Sequence, residues 1–211
     1  MGSVTEAGDF TTWLRAMLAA LRGDGESDVP CGSCTACCRS AQFVHIGPDE
    51  KDTLAHIPSQ LLFAAPGLPR GHLVMGYDER GCCPMLRDEG CSIYAHRPQA
   101  CRVYDCRVFA ATGVIPDQPL VADRVEQWVF RAGDDERRAV RAAASFLADH
   151  PELLPTDAPA AQRALAAIKV HDLFRGDTAP VMDDVRRRLR AMRDPSRPRP
   201  QPGPGQSSPR R

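Results

Sequence analysis

The sequence lacks the features that would place it in a membrane or on a nucleic acid. No apolar run approaches the roughly 20 residues that a helix needs to cross a bilayer. The opening residues, MGSVTEAGDFTTW, have neither the basic nor the apolar stretch of a secretory signal. The 27 basic residues balance the 27 acidic ones, so the net charge favours no polyanionic partner. We therefore expect a cytoplasmic protein with no membrane or nucleic-acid partner.

A recognisable catalytic arrangement is also missing. The sequence contains no Ser/His/Asp set, phosphate-binding loop or paired carboxylates that indicate catalysis. No substrate follows from it, and whether the protein is an enzyme stays open. The protein could also have a protein partner.

Cysteine is unevenly distributed. All nine cysteines lie between Cys31 and Cys106, and none follows. Thiols are normally kept reduced in the cytoplasm, and an odd number of them argues against complete pairing. The cysteines are therefore interpreted as metal ligands or reactive groups rather than as disulfides.

Composition and periodicity divide the chain into four regions. These are an N-terminal helix, a cysteine-cluster metal-binding domain, a helical region and a disordered tail rich in Pro and Arg, at residues 1–24, 25–110, 111–193 and 194–211. We expect an α+β fold in which a small cysteine-rich metal-binding module with short strands packs against the N- and C-terminal helices.

Local patterns predict the elements. Apolar residues at helical spacing from Phe10 to Leu21, after Asp9 as N-cap and before Gly23, predict the first helix. Further predictions are strands at 42–46 and 72–77, a short helix from Pro48 to Ile57, hairpin arms at 83–87 and 91–94, one helix from Pro98 through Phe109, and helices at 134–148, 159–174 and 181–192.

The first cysteine cluster is the stretch CGSCTACC, which contains Cys31, Cys34, Cys37 and Cys38. A Cys-x2-Cys turn brings two sulfur atoms to one point, which suits zinc or an iron–sulfur cluster. Adjacent side chains of an extended segment point to opposite sides. We therefore expect Cys37 and Cys38 to serve different centres, or one of them to be structural.

The second cluster contains Cys83, Cys91, Cys101 and Cys106, with Cys82 beside the first of them. Five residues on a regular helix turn the side chain by about 140°. Cys101 and Cys106 can therefore bind one ion only if the helix bends or frays.

Arginines surround the second cluster at Arg97, Arg102 and Arg107. Four thiolates on one Zn²⁺ leave two negative charges, which these side chains could balance. The alternative interpretation is that the arginines lie on a solvated helix surface.

The residues resemble a known family. CGSCTACC, followed by CPML and GCSIYAHRPQACRVYDC, is similar to the YkgJ-like cysteine-cluster family of zinc- or iron-chelating CxxCxxCC proteins over residues 29–108. The resemblance implies metal binding through eight cysteines and leaves Cys82 outside the pattern. The implied metal ligands are Cys31, Cys34, Cys37, Cys38, Cys83, Cys91, Cys101 and Cys106.

The sequence leaves the identity of the metal undecided between zinc and iron, and the iron could be part of a [4Fe–4S] cluster. Eight thiolates fit two zinc sites of four cysteines each, whereas the Cys-x2-Cys-x2-Cys run with the remote Cys83-Pro84 is similar to the bacterial ferredoxin pattern. Flagellin lysine N-methylases carry a cysteine cluster similar to CGSCTACC. The alternative function is therefore that of an iron–sulfur protein with a redox or protein-modifying role. A redox dithiol at Cys31 and Cys34 lacks its usual βαβ context.

Other candidates are weaker. His45, His56, His72 and His96 lie near the cysteines in sequence, and only His96, beside Arg97-Pro98, is of interest as a ligand. The arginines between Arg186 and Arg193 are interpreted as a solvated helix face in preference to a nucleic-acid surface. Trp13 and Trp128 are interpreted as core residues.

Overall fold

The fold is known from a computed structural model that describes residues 4–22, 24, 29, 33–88, 90–176 and 180–191. Cys31, Gly23 and the predicted tail at 194–211 lie outside these described residues. The helices are α1 (Phe10–Arg22), α2 (Lys51–His56), α3 (Gln99–Val103), α4 (Arg107–Thr112), α5 (Pro119–Val125), α6 (Asp134–Asp149), α7 (Ala160–Val170) and α8 (Met182–Ala191). The strands are β1 (Thr5–Asp9), β2 (Val44–Ile46), β3 (Leu62–Ala64), β4 (Leu73–Met75), β5 (Leu86–Arg87), β6 (Gly90–Cys91) and β7 (Trp128–Arg131). The α+β prediction is confirmed.

The strands form three small sheets. Strands β2, β4 and β3 form an antiparallel sheet in that order, and β5 pairs with β6 as the predicted hairpin. The third sheet pairs β1 with β7 in parallel, so that Thr5 lies opposite Trp128. Neither β1 nor β7 was predicted from the sequence. Residues early and late in the chain therefore meet on one side of the cysteine region.

The first helix forms as its sequence predicts. The carboxylate of Asp9 accepts a hydrogen bond of 2.8 Å from the backbone N–H of Thr12, which satisfies one of the free donors of the first turn. This bond lowers the pKa of Asp9. The apolar face of the helix is buried through Phe10, Trp13, Leu14 and Met17.

The larger core lies around an aromatic cluster. The rings of Phe10, Trp13 and Phe130 pack with centroid distances of 4.8 to 5.5 Å. Apolar residues of α4, α6 and α7 complete this core. The cluster thus joins the first helix, the last strand and the helix that follows the final cysteine.

The predicted helix from Pro98 through Phe109 is wrong as a single element. Helix α3 ends at Val103 and α4 begins at Arg107. Between them, the carboxylate of Asp105 accepts a hydrogen bond from the backbone N–H of Arg107 and another from the indole of Trp13. A side chain that binds the backbone locally offers an alternative to continuing the helix.

The predicted helices of the second half are present. Helix α6 buries Val140, Ala143 and Leu147, and α7 continues as a 3₁₀ turn to Phe174. Val185 and Leu189 are buried on α8, whereas Val181 is 64% exposed and precedes the helix, which begins one residue later than predicted. Met192 lies outside the described residues. None of the helices in the part of the chain described is long and apolar enough to cross a membrane.

Candidate metal centre

The cysteines of both clusters face one cavity of about 440 Å³. Seven of the eight predicted ligands lie in its walls, and the eighth, Cys31, is outside the described residues. The lining thiols are those of Cys34, Cys37, Cys38, Cys83, Cys91, Cys101 and Cys106. The two sequence clusters therefore contribute to a single site.

The first cluster is positioned by a 3₁₀ turn over Cys37–Arg39. The backbone N–H of Cys83 donates a hydrogen bond of 2.7 Å to the carbonyl of Cys38, which joins the two clusters directly. The segment is a turn rather than extended, and Cys37 and Cys38 both line the same cavity. The prediction that these neighbours point to different sides is therefore wrong.

The second cluster comes from three elements. Cys91 belongs to β6, whereas Cys101 lies on α3 and Cys106 immediately precedes α4. The break between α3 and α4 removes the 140° separation of a continuous helix, and both thiols line the cavity. The bend that the sequence required for a shared site is thus present.

The thiols influence one another. Burial, together with the nearby Cys37, Cys83 and Cys91, raises the pKa of Cys101 to about 12. Burial also raises the pKa of Cys83, while a hydrogen bond with Cys38 raises the pKa of Cys37. These are the interactions expected where several potential thiolates share one site.

The sulfur atoms are nevertheless not drawn into a tight group. Among the residues described, no three sulfur atoms lie within 4.8 Å of one another. Four sulfurs on one zinc ion stand about 3.8 Å apart, given a Zn–S distance of about 2.3 Å. The described sulfur atoms are therefore farther apart than the four ligands of a single zinc ion.

Cys82 lies apart from this arrangement. It does not line the cavity, and its sulfur is 3.9 Å from the backbone carbonyl of Arg80. Its backbone N–H donates to the carboxylate of Asp78, and this bond lowers the pKa of Asp78. The position of Cys82 supports its exclusion from the ligand set.

Cationic side chains line the cavity. Arg97 lies over the ring of Tyr94, with its guanidinium carbon 3.6 Å from the ring centroid. Its Nε is buried and has no hydrogen-bond partner among the described residues. Arg102 also lines the cavity. A buried N–H donor beside several thiols is the kind of group that a negatively charged metal–thiolate site requires.

Arg107 neither faces the thiols nor lies on a solvated helix surface, the two roles considered for it from the sequence. Its guanidinium is buried and forms an ion pair with Asp105 at 2.8 Å, and it donates to the backbone carbonyl of Ala7. It therefore connects α4 to β1 and does not lie among the residues that line the cavity.

Residues outside the cysteine segment also contribute to the site. Trp128 donates a hydrogen bond from its indole nitrogen to the sulfur of Cys106 at 3.2 Å. Arg124 stacks on the Trp128 ring at 4.2 Å and lines the cavity. The half-buried Tyr104 also lines it, and burial raises the pKa of this residue. No signal in the sequence linked Trp128 or Arg124 to a cysteine, because these contacts depend on the pairing of β1 with β7.

The four histidines near the cysteines do not line the cavity. His45 and His72 form one pair, with Nε2 of the first 2.9 Å from Nδ1 of the second. His56 and His96 form another, with their rings stacked. His96, the histidine singled out as a candidate ligand, therefore lies beside a second histidine and outside the cavity lined by the thiols.

A small α+β unit that closes a thiol-lined cavity defines a cysteine-cluster domain. Residues 30–112 match the family model CxxCxxCC, described as "Putative zinc- or iron-chelating domain". The cysteine region of this chain is therefore similar to the domains of that family, in agreement with the resemblance seen in the sequence. No curated protein and no solved structure matches the chain.

Proposed function

We propose that the protein chelates zinc or iron through cysteine thiolates in the cavity. One observation carries this proposal, which is that two cysteine clusters far apart in the sequence contribute seven thiols to the walls of one cavity. The proposed ligands are these seven and Cys31. The family description of the domain supports the same class of metal.

The surroundings of the thiols fit a bound metal. Thiolates bring negative charge into a partly buried site, and such charge needs nearby donors or cations. The unpartnered Nε of Arg97 and the indole N–H of Trp128 supply donors, while Arg124 supplies a cation. A site built only to pack apolar side chains would not need these groups.

Zinc is the simpler occupant. Eight thiolates could hold two ions in tetrahedral sites of four cysteines each, and zinc bound in this way contributes directly to folding. The strands around the cysteines are only two or three residues long, so a bound metal would compensate for their small core.

An iron–sulfur cluster is a second candidate, favoured by the spacing of the sulfurs. Thiolates bound to different iron atoms of one cluster stand farther apart than thiolates bound to one zinc ion. The absence of any group of three sulfurs within 4.8 Å among the described residues agrees with this wider arrangement. A cluster would open a redox or protein-modifying role, similar to that of the lysine N-methylases.

Anaerobic purification of the full chain distinguishes the two candidates. A brown protein with acid-labile sulfide and iron supports the cluster and excludes zinc as the native occupant. A colourless protein with about two zinc ions per chain, which loses structure when a chelator removes them, supports zinc. A protein that retains neither metal contradicts the proposal.

The adjacent cysteines Cys82 and Cys83 provide a matched test of the ligand set. We expect Cys83→Ser to lower the metal content and Cys82→Ser to leave it unchanged, because only Cys83 lines the cavity. Equal losses from both variants would show that Cys82 was wrongly excluded.

We further propose that the protein acts in the cytoplasm. Its cysteines must remain reduced to bind metal, and that compartment keeps thiols reduced. Fractionation of cells that express the native protein tests this, and recovery from an oxidising compartment would contradict it.

A further inference from the structure

A second group of metal-binding side chains lies away from the cysteine cavity. Asp52 and His56 are four residues apart on α2, so they share one face of that helix. His96 ends the 3₁₀ turn at Tyr94–His96, which packs beside α2. One potential ligand atom from each of the three residues lies within 4.8 Å of the other two.

The contacts of these residues define their tautomers. Nδ1 of His96 lies 2.7 Å from a carboxylate oxygen of Asp52, and Nδ1 of His56 lies 2.8 Å from the backbone carbonyl of Asp52. Both oxygen atoms accept hydrogen bonds, so each Nδ1 carries the proton. The Nε2 atoms point away from Asp52, so an ion bound beside the carboxylate would be held by Nδ1 of each ring, with the ring proton moved to Nε2.

An ordinary ion pair between Asp52 and His96 would explain only part of this arrangement. It does not account for the ring of His56, which stacks on that of His96 with a centroid distance of 3.6 Å and an interplanar angle of 8°. The Nδ1 atoms of the two rings lie 3.9 and 2.7 Å from oxygen atoms of one carboxylate, which forms a donor set of two imidazoles and one anionic oxygen.

The supporting structure does not depend on these three side chains. Glu50 accepts a hydrogen bond of 2.6 Å from the backbone N–H of Gln99, which follows the turn. Thr53 donates a longer one of 3.5 Å to the carbonyl of Arg97. These bonds hold α2 beside the turn, so the donor set is positioned before any ion arrives.

The site is accessible to solvent, and the side chain of Asp52 is 73% exposed. The side chains of His56 and His96 are 39% and 38% exposed, so solvent reaches the site and water can fill further coordination positions.

We propose that Asp52, His56 and His96 form a second metal site, distinct from the cysteine cavity, that binds a divalent first-row transition metal. Two imidazoles and one carboxylate suit zinc or ferrous iron and leave positions open for water. The site does not rest on the proposed function of the thiols, because it shares no ligand with them.

Cobalt(II) is a suitable probe, since only thiolate-bound cobalt gives an intense sulfur-to-metal charge-transfer band. The full chain, without a polyhistidine tag and with its cysteine sites already loaded, would be dialysed against Co²⁺ and analysed for metal. We expect about one additional Co²⁺ per chain without that band. No additional cobalt, or additional cobalt that shows the thiolate band, would overturn the proposal.

Variants separate the site from incidental binding by histidine. His56→Gln with His96→Gln should abolish uptake of the additional cobalt, whereas His45→Gln with His72→Gln should leave it unchanged. The control pair is also stacked, but neither of its histidines belongs to a three-residue ligand group among the described residues. Retention of the cobalt by the first double variant, or equal loss from both, contradicts the site.

A third variant keeps the test valid if the histidine changes disturb folding. Asp52→Asn preserves shape and removes the charge, and it should weaken cobalt binding by about tenfold or more. Unchanged binding would exclude Asp52 from the site. The metal content of the cysteine sites, measured in the same samples, reports separately on the proposed chelating function.

Discussion

The indole nitrogen of Trp128 donates a hydrogen bond to the sulfur of Cys106 across 3.2 Å. Trp128 begins β7, and Cys106 lies in the cavity wall before α4. An N–H group directed at sulfur favours the thiolate over the thiol and fixes the orientation of the side chain. The second half of the chain therefore contacts a thiol of the cysteine cavity directly.

Trp128→Phe should weaken metal binding by about tenfold or more, because it removes this donor while keeping an aromatic ring in the core. Competition with a chromophoric chelator measures the affinity. Trp13→Phe is the matched control, since it loses an indole hydrogen bond of 2.8 Å to the carboxylate of Asp105 and Trp13 does not line the cavity. Equal losses in affinity would mean that the effect comes from general loosening of the core.

Asp105→Asn should destabilise the protein by about 3–5 kcal/mol, because it removes the carboxylate charge that is paired with the buried guanidinium of Arg107. The Asp105 side chain is fully buried and also accepts the Trp13 bond. Urea unfolding measures the change. Asp117→Asn is the control, since Asp117 pairs at the surface with Arg163 at 3.8 Å and such pairs contribute about 1 kcal/mol or less.

Gly133→Ala should destabilise the fold by about 2–4 kcal/mol, which combines backbone strain with a steric clash. Gly133 has a φ of +71°, and a Cβ there would lie 2.7 Å from the Cβ of the buried Phe10. Gly67→Ala is a close control, since Gly67 has the same φ and nothing lies within 4 Å of its added Cβ. Thermal unfolding should show a smaller loss for Gly67→Ala, and equal losses would contradict the clash.

Metal affinity should rise as the pH rises from about 6 to about 8, by up to about tenfold per pH unit for each proton released. Burial raises the pKa of Cys83, and raises that of Cys101 to about 12, so both are protonated at neutral pH without metal. Thiolate ligation must therefore release protons, which compete less as the pH increases. Zinc affinities measured at several pH values test this, and a constant affinity would contradict thiolate ligation by these residues.

Much of the architecture could be predicted because its signals are local. The apolar face of α1 and its N-cap at Asp9 are encoded within a few turns, and so is the turn between β5 and β6. The family pattern in turn identified the cysteines that line the cavity. Each of these predictions needed only the residue types and their spacing.

The remaining features depend on contacts between distant residues. Strand β1, with the sequence TEAGD, has no alternation of apolar residues and is recognisable only through its pairing with β7. The break after α3 depends on Asp105, whose partners include Trp13. The histidine site likewise required the structure, because spacing relates Asp52 to His56 but does not place His96 beside them.

Strands β1 and β7 are paired in the folded protein, but they are synthesised at different times. Every cysteine lies in the chain between these two strands. A growing polypeptide therefore exposes all of its thiols before the partner of its first strand has been synthesised. If the thiols bind metal as we propose, the metal can reach them before Trp128, the hydrogen-bond donor to the sulfur of Cys106, has been added to the chain.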